Sequence, residues 1–437
     1  MSTESAPRFL ASEYPPIPAA DALFQVIPVP YEATVSYGGG TGRGPGAILE
    51  ASDQLEAYDG HSCPGDAGIH TTPPVDCSGS AEAVLDRVEA AVTESLQAHR
   101  NAPVPVVLGG EHSITAPAVR AVRNVYDARE SGTRQPGTGS GESSLGLIQI
   151  DAHADLRREY EGSRLSHAAV IRRVHEDFGI PVIQLGVRAL CMEEADYRRA
   201  VRDRLAARDR LAARDHRAAR DHRAARDHRA ARDHRAARDH PAARNRPAAT
   251  DRPARGTVPD PDEPAPRTPD TSKTFTSDTQ ASTTSEAPAS LTSDTQAAFT
   301  SDATTSLTTD APASLASTIP ASLASAMPAS LTWFDAHELV PPRVSRFEIP
   351  ETFPRRVYVT LDVDGLDPSV CPATGTPVPG GLGWYQVLDL LQWIVSSRTV
   401  VALDVVELAP IPGLHAADYT VAELVYRTMG MISRGRS

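Results

Sequence analysis

The chain has 437 residues and a formal net charge of −13, and none of its four cysteines forms a C-x-x-C pair. The negative charge disfavours nucleic acid as the main partner, and the cysteine spacing suggests neither a disulfide framework nor a thiolate zinc site. No window has the length of a membrane span, and Met1 to Pro18 lacks the apolar core of a signal peptide. We therefore expect a cytoplasmic protein, reduced and without a membrane partner.

Short apolar runs alternate with helical segments in a first zone that reaches residue 197. The runs start at Val104 (VPVVL), Leu145 (LGLIQI) and Val182 (VIQL), and helical periodicity covers residues 81–96 and 116–126. Fully apolar strands that alternate with helices are typical of a parallel sheet covered on both faces. The pattern predicts an α/β fold of three layers, α/β/α, with a mostly parallel sheet.

A low-complexity zone occupies residues 198–332. An RAARDH-type repeat of six residues runs from Leu205 to about Arg246, and a Pro-rich and then Ser/Thr-rich tract follows. Alanine and arginine favour helix, but the repeat has no apolar stripe to bury, so we expect a disordered insertion. A tether for an anionic partner is the functional alternative. The repeat histidines do not share one helical face, which argues against a metal site there.

The α/β pattern returns in a third zone, residues 333–437. Strand-like runs start at Arg356 (RVYVTL) and Thr399 (TVVAL), and a helical run covers residues 420–431. Without the insertion about 300 residues remain, which suits one large domain. We therefore expect residues 1–197 and 333–437 to be two parts of a single domain.

Acids and histidines follow four of the predicted strands. The clusters are GGEHS from Gly109, DAHAD from Asp151, DVDGLD from Asp362 and DVVE from Asp404. The carboxyl ends of parallel strands meet at one edge of the sheet, and alternate residues of an extended segment point to the same side. So many carboxylates are costly to bury unless cations neutralise them, and an oxygen-rich set with some imidazole suits Mn²⁺. Two such ions could activate a water molecule between them.

Several segments also resemble a known family, the ureohydrolases of the arginase/agmatinase type. They are VLGGEHSIT, IDAHADLRREY, SRLSHAAVIRR, VTLDVDGLDPSVCPATGTPVPGGL and ALDVVELAP. The segment PYEATVSYGGGTGRGPGAILEAS resembles the agmatinase branch in particular. The resemblance covers the chain except for the insertion and the extreme termini.

The resemblance implies a centre of two Mn²⁺ ions and a homo-oligomer, trimeric or hexameric. The implied ligands are His112 and Asp155 for the first ion, His153 and Asp364 for the second, and Asp151 and Asp362 as bridges. A hydroxide held between the ions would attack the guanidinium carbon. His167 would shuttle a proton, although Ala168 stands where the family often has glycine, and Glu407 would bind the guanidinium in bidentate fashion.

The substrate's distal end is expected to meet the loop that follows DAHAD. Glu159 and Glu161 in this loop could attract an ammonium group, although Arg157 and Arg158 oppose that attraction. The sequence thus predicts hydrolysis of agmatine to putrescine and urea, a step of polyamine biosynthesis. Aminopropylagmatine, arginine, guanidinobutyrate and formiminoglutamate stay open as substrates. A non-catalytic binding or regulatory protein on the same scaffold is the alternative of another class.

Overall fold

The apolar runs of the sequence form the strands of one sheet. The structure, a computed structural model, describes residues 7–98, 102–131, 144–238, 329–340 and 348–436. Within these residues the strands are β1 (Phe24–Val29), β2 (Ile69–Thr71), β3 (Val104–Gly109), β4 (Leu145–Ile150), β5 (Val182–Val187), β6 (Leu331–Asp335), β7 (Arg356–Asp362) and β8 (Thr399–Val406). Four of them, β1, β3, β4 and β5, are buried at every residue, as strands covered on both faces must be.

The sheet order is β2-β1-β3-β8-β7-β4-β5-β6. Every neighbouring pair of strands is parallel. All carboxyl ends therefore meet at one edge, and the central strands β3, β8, β7 and β4 bring their ends side by side. The four acid-bearing segments predicted from the sequence follow these four strands.

Helices cover both faces of the sheet. They are α1 (Gly44–Ser52), α2 (Ala81–Ala98), α3 (Thr115–Ser131), α4 (Val170–Arg172), α5 (Met192–Arg238), α6 (Ala336–Leu339), α7 (Trp384–Ser397) and α8 (His415–Arg436). One buried cluster holds residues of α1, α7 and α8, and the other holds residues of α2, α3 and the start of α5. Alternate residues of β1 enter the two clusters, Val26 the first and Ile27 the second. The three-layer α/β/α prediction is confirmed.

The structure differs from the sequence prediction at both ends of the insertion. Residues 198–238 belong to the 47-residue helix α5, whose side chains are exposed through most of the repeat. Frequent alanine and arginine give the repeat high helix propensity, and buried Tyr197 and Val201 hold the first turns of the helix against the sheet. At the other end, β6 starts at Leu331, before the predicted boundary. The predicted tract 239–328 lies outside the described residues.

The compact unit that carries the sheet comprises Met1–Ala219 and Ala321–Ser437, so both parts of the predicted domain fall within it. Arg220–Pro320 separates as a second unit, and its described part is the end of α5. Among the helices within the described residues, none combines the length and the apolar character needed to cross a membrane.

Candidate metal centre

The first candidate ligand, His112, follows the tight turn at the end of β3. A Cβ atom at Gly110 would lie 2.0 Å from the carbonyl oxygen of Tyr31, so only glycine lets the two segments approach this closely. The backbone N–H of Glu111 donates to the same carbonyl oxygen at 2.8 Å. The turn places His112 in a buried position above the centre of the sheet.

The imidazole of His112 faces three carboxylates through its Nδ1 atom. This atom lies 2.9 Å from Asp155 Oδ2, 3.2 Å from Asp151 Oδ2 and 3.4 Å from Asp362 Oδ2. It is buried, yet it makes no hydrogen bond of acceptable geometry. On the other side of the ring, Nε2 lies 2.8 Å from Thr360 Oγ1. A hydrogen bond from Nε2 to this hydroxyl leaves the Nδ1 lone pair free for a cation.

A second group forms around His153. Its Nδ1 atom lies 2.9 Å from Asp364 Oδ2 and 3.7 Å from Asp151 Oδ1. Asp151 therefore faces both histidines, one with each carboxylate oxygen. The six residues that the sequence proposed as metal ligands, listed above, come together at this edge of the sheet.

The route by which Asp362 and Asp364 converge is not the one the sequence suggested. Extended backbone was expected to align the two carboxylates, but Val363–Gly365 forms a 3₁₀ turn. Asp362 caps this turn, because its Oδ1 accepts a hydrogen bond from the backbone N–H of Asp364 at 2.9 Å. The Asp364 carboxylate accepts in turn from the backbone N–H of Ala152 at 3.0 Å and so reaches the end of β4.

Burial and the close approach of the charged groups set the electrostatics of the cluster. Burial opposes the charge on His112, but its three carboxylate neighbours outweigh burial and raise its pKa well above the ordinary value. Burial lowers and Asp364 raises the pKa of His153, which reaches about 10. Burial and the charge of Asp155 raise the pKa of Asp151 to about 7. Protons thus neutralise the metal-free cluster, and a cation bound there would take over that role.

The residues fit a metal ion on two independent observations. His112, Asp151 and Asp155 bring their ligand atoms within 4.8 Å of one another, and so do Asp151, His153 and Asp364. The buried Nδ1 atom of His112 has no other partner within the described residues. Carboxylate oxygens with a minority of imidazole nitrogens form a donor set that hard or borderline divalent ions prefer.

Two acids of the site adopt left-handed backbone conformations. Asp155 has φ of 50° and Glu407 has φ of 65°, a region that L-residues rarely occupy. Such strain persists only where the surroundings enforce it, and it concentrates at functional positions. For Glu407 the surroundings are the ends of β8 and β3: its N–H donates to Gly110 O at 2.7 Å, and its Oε1 accepts from the N–H of His112 at 2.7 Å. Burial raises the pKa of the Glu407 carboxyl to about 8.

A cavity of about 350 Å³ opens above the cluster. His167 and Glu407, the proposed proton shuttle and guanidinium partner, both line it. Its lining also includes the exposed Tyr37, the half-buried Tyr160 and the buried Glu194. The structure therefore places the two sequence-proposed catalytic residues around one space with the candidate ligands.

Glu159 and Glu161 do not reach this cavity, contrary to the sequence-based hypothesis. Both are exposed and neither lines it. Tyr160 and Ser163 pair through two backbone hydrogen bonds, and Glu161 and Gly162 form the turn between them with φ of 50° and 78°. This two-residue turn points the loop's acids to solvent and leaves Tyr160 at the cavity wall. Among the described residues, the lining acid that is neither a candidate ligand nor Glu407 is the buried Glu194, whose carboxylate accepts from Leu156 N and Cys191 N.

Sequence reasoning missed the residues that support the cluster from within the sheet. Gln149 Nε2 donates to Asp151 Oδ2 at 2.6 Å, and Gln184 Nε2 donates to the oxygen of Gln149. The guanidinium of Arg198 donates to Gln184 Oε1, at 3.0 Å from its closer nitrogen, and to Asp335 Oδ1 at 2.9 Å. A signal was present, because glutamine in the middle of a fully apolar strand is unusual unless it has a partner.

Two further supports lie beside the ligands. Arg188 was not singled out in the sequence, yet its guanidinium donates to the carbonyl oxygens of Asp364 at 2.6 Å and Leu366 at 3.1 Å and fixes the loop after β7. Asp404, which starts the fourth acidic cluster of the sequence, is buried below His112, where its Oδ2 accepts from Thr115 Oγ1 and Tyr358 OH, both at 2.8 Å.

The fold and the site together define an α/β enzyme with a candidate metal centre at the carboxyl edge of a parallel sheet. A sequence profile of the arginase family matches residues 22–231 and 326–430 of the chain. The chain therefore belongs to the arginase family, whose members are metal-dependent, and it is a ureohydrolase of the agmatinase-like branch.

Individual relatives agree with this assignment. A Synechocystis protein named N(1)-aminopropylagmatine ureohydrolase is 29% identical over 419 residues, which cover 94% of this chain and 89% of the relative. A Pyrococcus horikoshii protein named agmatinase is 22% identical over 427 residues, which cover 97% of this chain and 96% of the relative. The crystal structure of an agmatine ureohydrolase of Thermoplasma volcanium has a TM-score of 0.58 at 19% identity and covers 99% of this chain and 96% of its own, which shows the shared fold.

Proposed function

We propose that the protein binds two Mn²⁺ ions and hydrolyses a guanidinium C–N bond, releasing urea and an amine. The observation that carries this proposal is the buried Nδ1 atom of His112, which faces three carboxylate oxygens within 3.4 Å and has no hydrogen-bond partner in the described part of the chain. That arrangement costs free energy in the metal-free protein and suits a protein that carries a cation.

The placement of Asp151 supports a site for two ions. One of its oxygens faces His112 and the other faces His153, so a single carboxylate serves both groups. His112 and Asp155 would hold one ion, His153 and Asp364 the other, and Asp151 and Asp362 both. When bound, two Mn²⁺ ions supply Lewis acidity and lower the pKa of water enough to give a nucleophile at neutral pH.

Glu407 and His167 would act on the substrate itself. The Glu407 carboxylate is held at Oε1 by the N–H of His112, which fixes its orientation towards the cavity. A carboxylate in that position suits bidentate hydrogen bonds to a planar guanidinium group. His167 lies on the same cavity wall and would donate the proton that the departing amine needs.

We take a guanidine with a cationic tail as the substrate class, with N(1)-aminopropylagmatine as the first choice. Glu194 and the rings of Tyr37 and Tyr160, which all line the cavity, suit an ammonium group. The identity to the Synechocystis relative of that name, 29%, exceeds the 22% to the agmatinase of Pyrococcus horikoshii. Agmatine, the substrate expected from the sequence, is the second candidate and would be converted to putrescine, a polyamine.

One observation favours an anionic tail instead. The side chain of Arg157 also lines the cavity, and a guanidinium there suits the carboxylate of guanidinobutyrate or arginine. This guanidinium lies 5.0 Å from the centre of the Tyr160 ring, so it already has a cation–π partner. We therefore rank the anionic substrates below the cationic ones and include them in the test.

The test is urea release from N(1)-aminopropylagmatine, agmatine, guanidinobutyrate and arginine. Each is assayed with Mn²⁺-loaded protein, with EDTA-treated protein and with the variant Asp362→Asn. Asp389→Asn, which removes the charge of an exposed aspartate on α7, is the matched control. We expect manganese-dependent urea release from the cationic substrates, lost in Asp362→Asn and kept in Asp389→Asn.

Other outcomes select the alternatives. Formamide from formiminoglutamate without urea from any guanidine would make the protein a formimino hydrolase. No turnover of any substrate by folded, manganese-loaded protein would leave the binding or regulatory function. The trimeric or hexameric state and the cytoplasmic location expected from the sequence stay predictions.

A further inference from the structure

Glu111 is a fully buried carboxylate that the ligand set does not use. It lies between the candidate ligand His112 and Gly110 in the GGEHS cluster of the sequence. Its Oε2 atom accepts hydrogen bonds from the backbone N–H groups of Ala33 and Thr34, both at 2.6 Å. Backbone N–H groups only donate, so this oxygen is an acceptor and ties the loop after β1 to the end of β3.

The other oxygen of Glu111 is linked to His167 through one hydroxyl. Thr34 Oγ1 lies 2.9 Å from Glu111 Oε1 and 3.0 Å from His167 Nδ1, and the backbone N–H of His167 donates to it at 3.1 Å. Three residues from three separate segments, after β1, after β3 and after β4, thus meet at a single oxygen atom. In the sequence, Thr34 is 77 residues from Glu111 and 133 residues from His167.

The chemistry of a hydroxyl decides the direction of these bonds. Threonine has one O–H proton and two lone pairs. An ionised carboxylate only accepts, so Thr34 donates its proton to Oε1, which also accepts from the hydroxyl of Ser113. Both remaining contacts, from the N–H and from Nδ1 of His167, must then be donations to Thr34. Nδ1 of His167 therefore carries a proton, and in the neutral ring Nε2 is the nitrogen with the free lone pair.

Ser166 offers the one competing contact to this nitrogen among the hydrogen bonds of the described residues. Its Oγ atom lies 3.5 Å from His167 Nδ1, at the limit of a hydrogen bond, and accepts from the backbone N–H of Ala168 at 3.4 Å. The distance from Thr34 Oγ1 to the same nitrogen is 3.0 Å, which is 0.5 Å shorter. Thr34 therefore sets the tautomer of the ring.

We propose that Thr34 and Glu111 are positioning residues that hold His167 as its Nδ1–H tautomer and present Nε2 to the cavity for proton exchange with substrate. The catalytic consequence rests on the proposed function, since it requires His167 to protonate the leaving amine. The tautomer itself does not depend on any substrate. Free histidine favours the opposite, Nε2–H, tautomer, so the enforced form has a clear spectroscopic signature.

The test compares Thr34→Val, Thr34→Ser and the control Ser166→Ala. Valine keeps the shape of threonine and removes the hydroxyl, while the backbone bonds to Glu111 Oε2 remain and hold the loop. Histidine-selective ¹⁵N labelling reads the tautomer from two-bond nitrogen–proton correlations, and His167→Asn identifies the signal of His167. Turnover of the substrate found in the urea assay gives kcat and KM in parallel.

We expect the Nδ1–H form in the wild type, in Thr34→Ser and in Ser166→Ala, and a shift to the Nε2–H form in Thr34→Val. In that variant kcat should fall about 10- to 100-fold with KM changed less than about threefold. An unchanged tautomer in Thr34→Val overturns the proposal, and so does a loss of kcat that serine fails to restore. If no guanidine releases urea, the proposed function fails, and the tautomer of Thr34→Val alone still decides whether Thr34 positions the ring.

Discussion

Replacing Arg198 with methionine tests whether the fold extends into the segment that the sequence assigned to the insertion. The Arg198 side chain is 4% exposed, and its guanidinium pairs with Asp335 of β6, which is 25% exposed. The same guanidinium donates two hydrogen bonds to Gln184 Oε1 and lies 5.2 Å from the centre of the Trp333 ring. Arg198 therefore joins the start of α5 to β5 and β6, on either side of the insertion.

The magnitude follows from what the substitution leaves behind. Removing one partner of a buried ion pair costs about 3–5 kcal/mol, because the other charge is left buried. Asp335 can recover part of its hydration, so we take the lower end, about 3 kcal/mol. This figure includes the loss of both donors at the buried oxygen of Gln184, which costs about 1–3 kcal/mol where no water replaces them. Methionine retains the apolar stem, which limits the change to the polar contacts.

Thermal unfolding of metal-free protein measures the effect. We expect the Tm of Arg198→Met to fall by about 6–12 °C, given about 2–4 °C per kcal/mol for a large domain. The control is Arg199→Met, since Arg199 is 58% exposed and pairs only with Asp196 within one helical turn among the described contacts. Its Tm should change by less than about 2 °C. Equal shifts of Tm in the two variants would refute this reasoning, and Arg198 would then belong to the insertion, as the sequence predicted.

Two further predictions concern the pH dependence of the metal-free protein and the loop after β4. Burial raises the pKa of Asp151 to about 7, so its carboxylate destabilises the fold increasingly as pH rises from the ordinary aspartate range through 7. Against burial, Asp364 raises the pKa of His153 to about 10, so its stabilising contribution is complete below the ordinary histidine pKa and is lost as pH rises through 10. Both groups therefore lower the stability of the metal-free protein as pH rises. The gain in Tm on adding Mn²⁺, measured by calorimetry, should widen between about pH 6 and about pH 9. A gain that stays constant with pH would contradict the proposed ligand set. In the loop after β4, Glu161→Gly removes the strain of a left-handed backbone with φ of 50°. We expect kcat/KM to stay within about twofold and the stability to be unchanged or raised by about 1 kcal/mol. A selective loss of activity on cationic substrates would restore Glu161 as a substrate-binding residue.

The candidate ligands were predictable because each lies in a short segment whose residue types indicate both its structure and its chemistry. An apolar run that ends in Asp151 or Asp362 shows both the strand and the edge at which it ends, and parallel topology brings such edges together. The means of convergence was not predictable. The 3₁₀ turn at Val363–Gly365 and the left-handed Asp155 depend on tertiary contacts that a local pattern does not contain. For the same reason the sequence could not tell that Glu161 lies in a two-residue turn that faces solvent.

Within the described residues, two of the three strands that escaped explicit prediction show a different limit. The run of β1 contains Gln25 and Pro28, which make a central strand improbable. Pro28 is tolerated because β2 pairs only with Phe24–Val26, so no partner on that side needs its missing N–H. β6 at Leu331–Asp335 directly follows the low-complexity tract, and although Thr332, Trp333 and Phe334 favour a strand, five residues are too few to identify it there. Only its pairing with β5 makes it a strand.

Polar residues inside the apolar strands orient the candidate ligands from within the sheet. A carboxylate that serves a cation above it must also be oriented from below, and Gln149 does this for Asp151 through a 2.6 Å hydrogen bond. Gln149 is itself oriented by Gln184, and Gln184 by Arg198, so each donor has one direction in which to point. The chain of bonds ends at an ion pair between α5 and β6, the two elements that flank the insertion. The insertion therefore leaves the domain at the elements that hold Asp151 in place. This accounts for the buried, fully hydrogen-bonded Arg198 at the first position of a segment whose later arginines, as far as Arg235, are exposed.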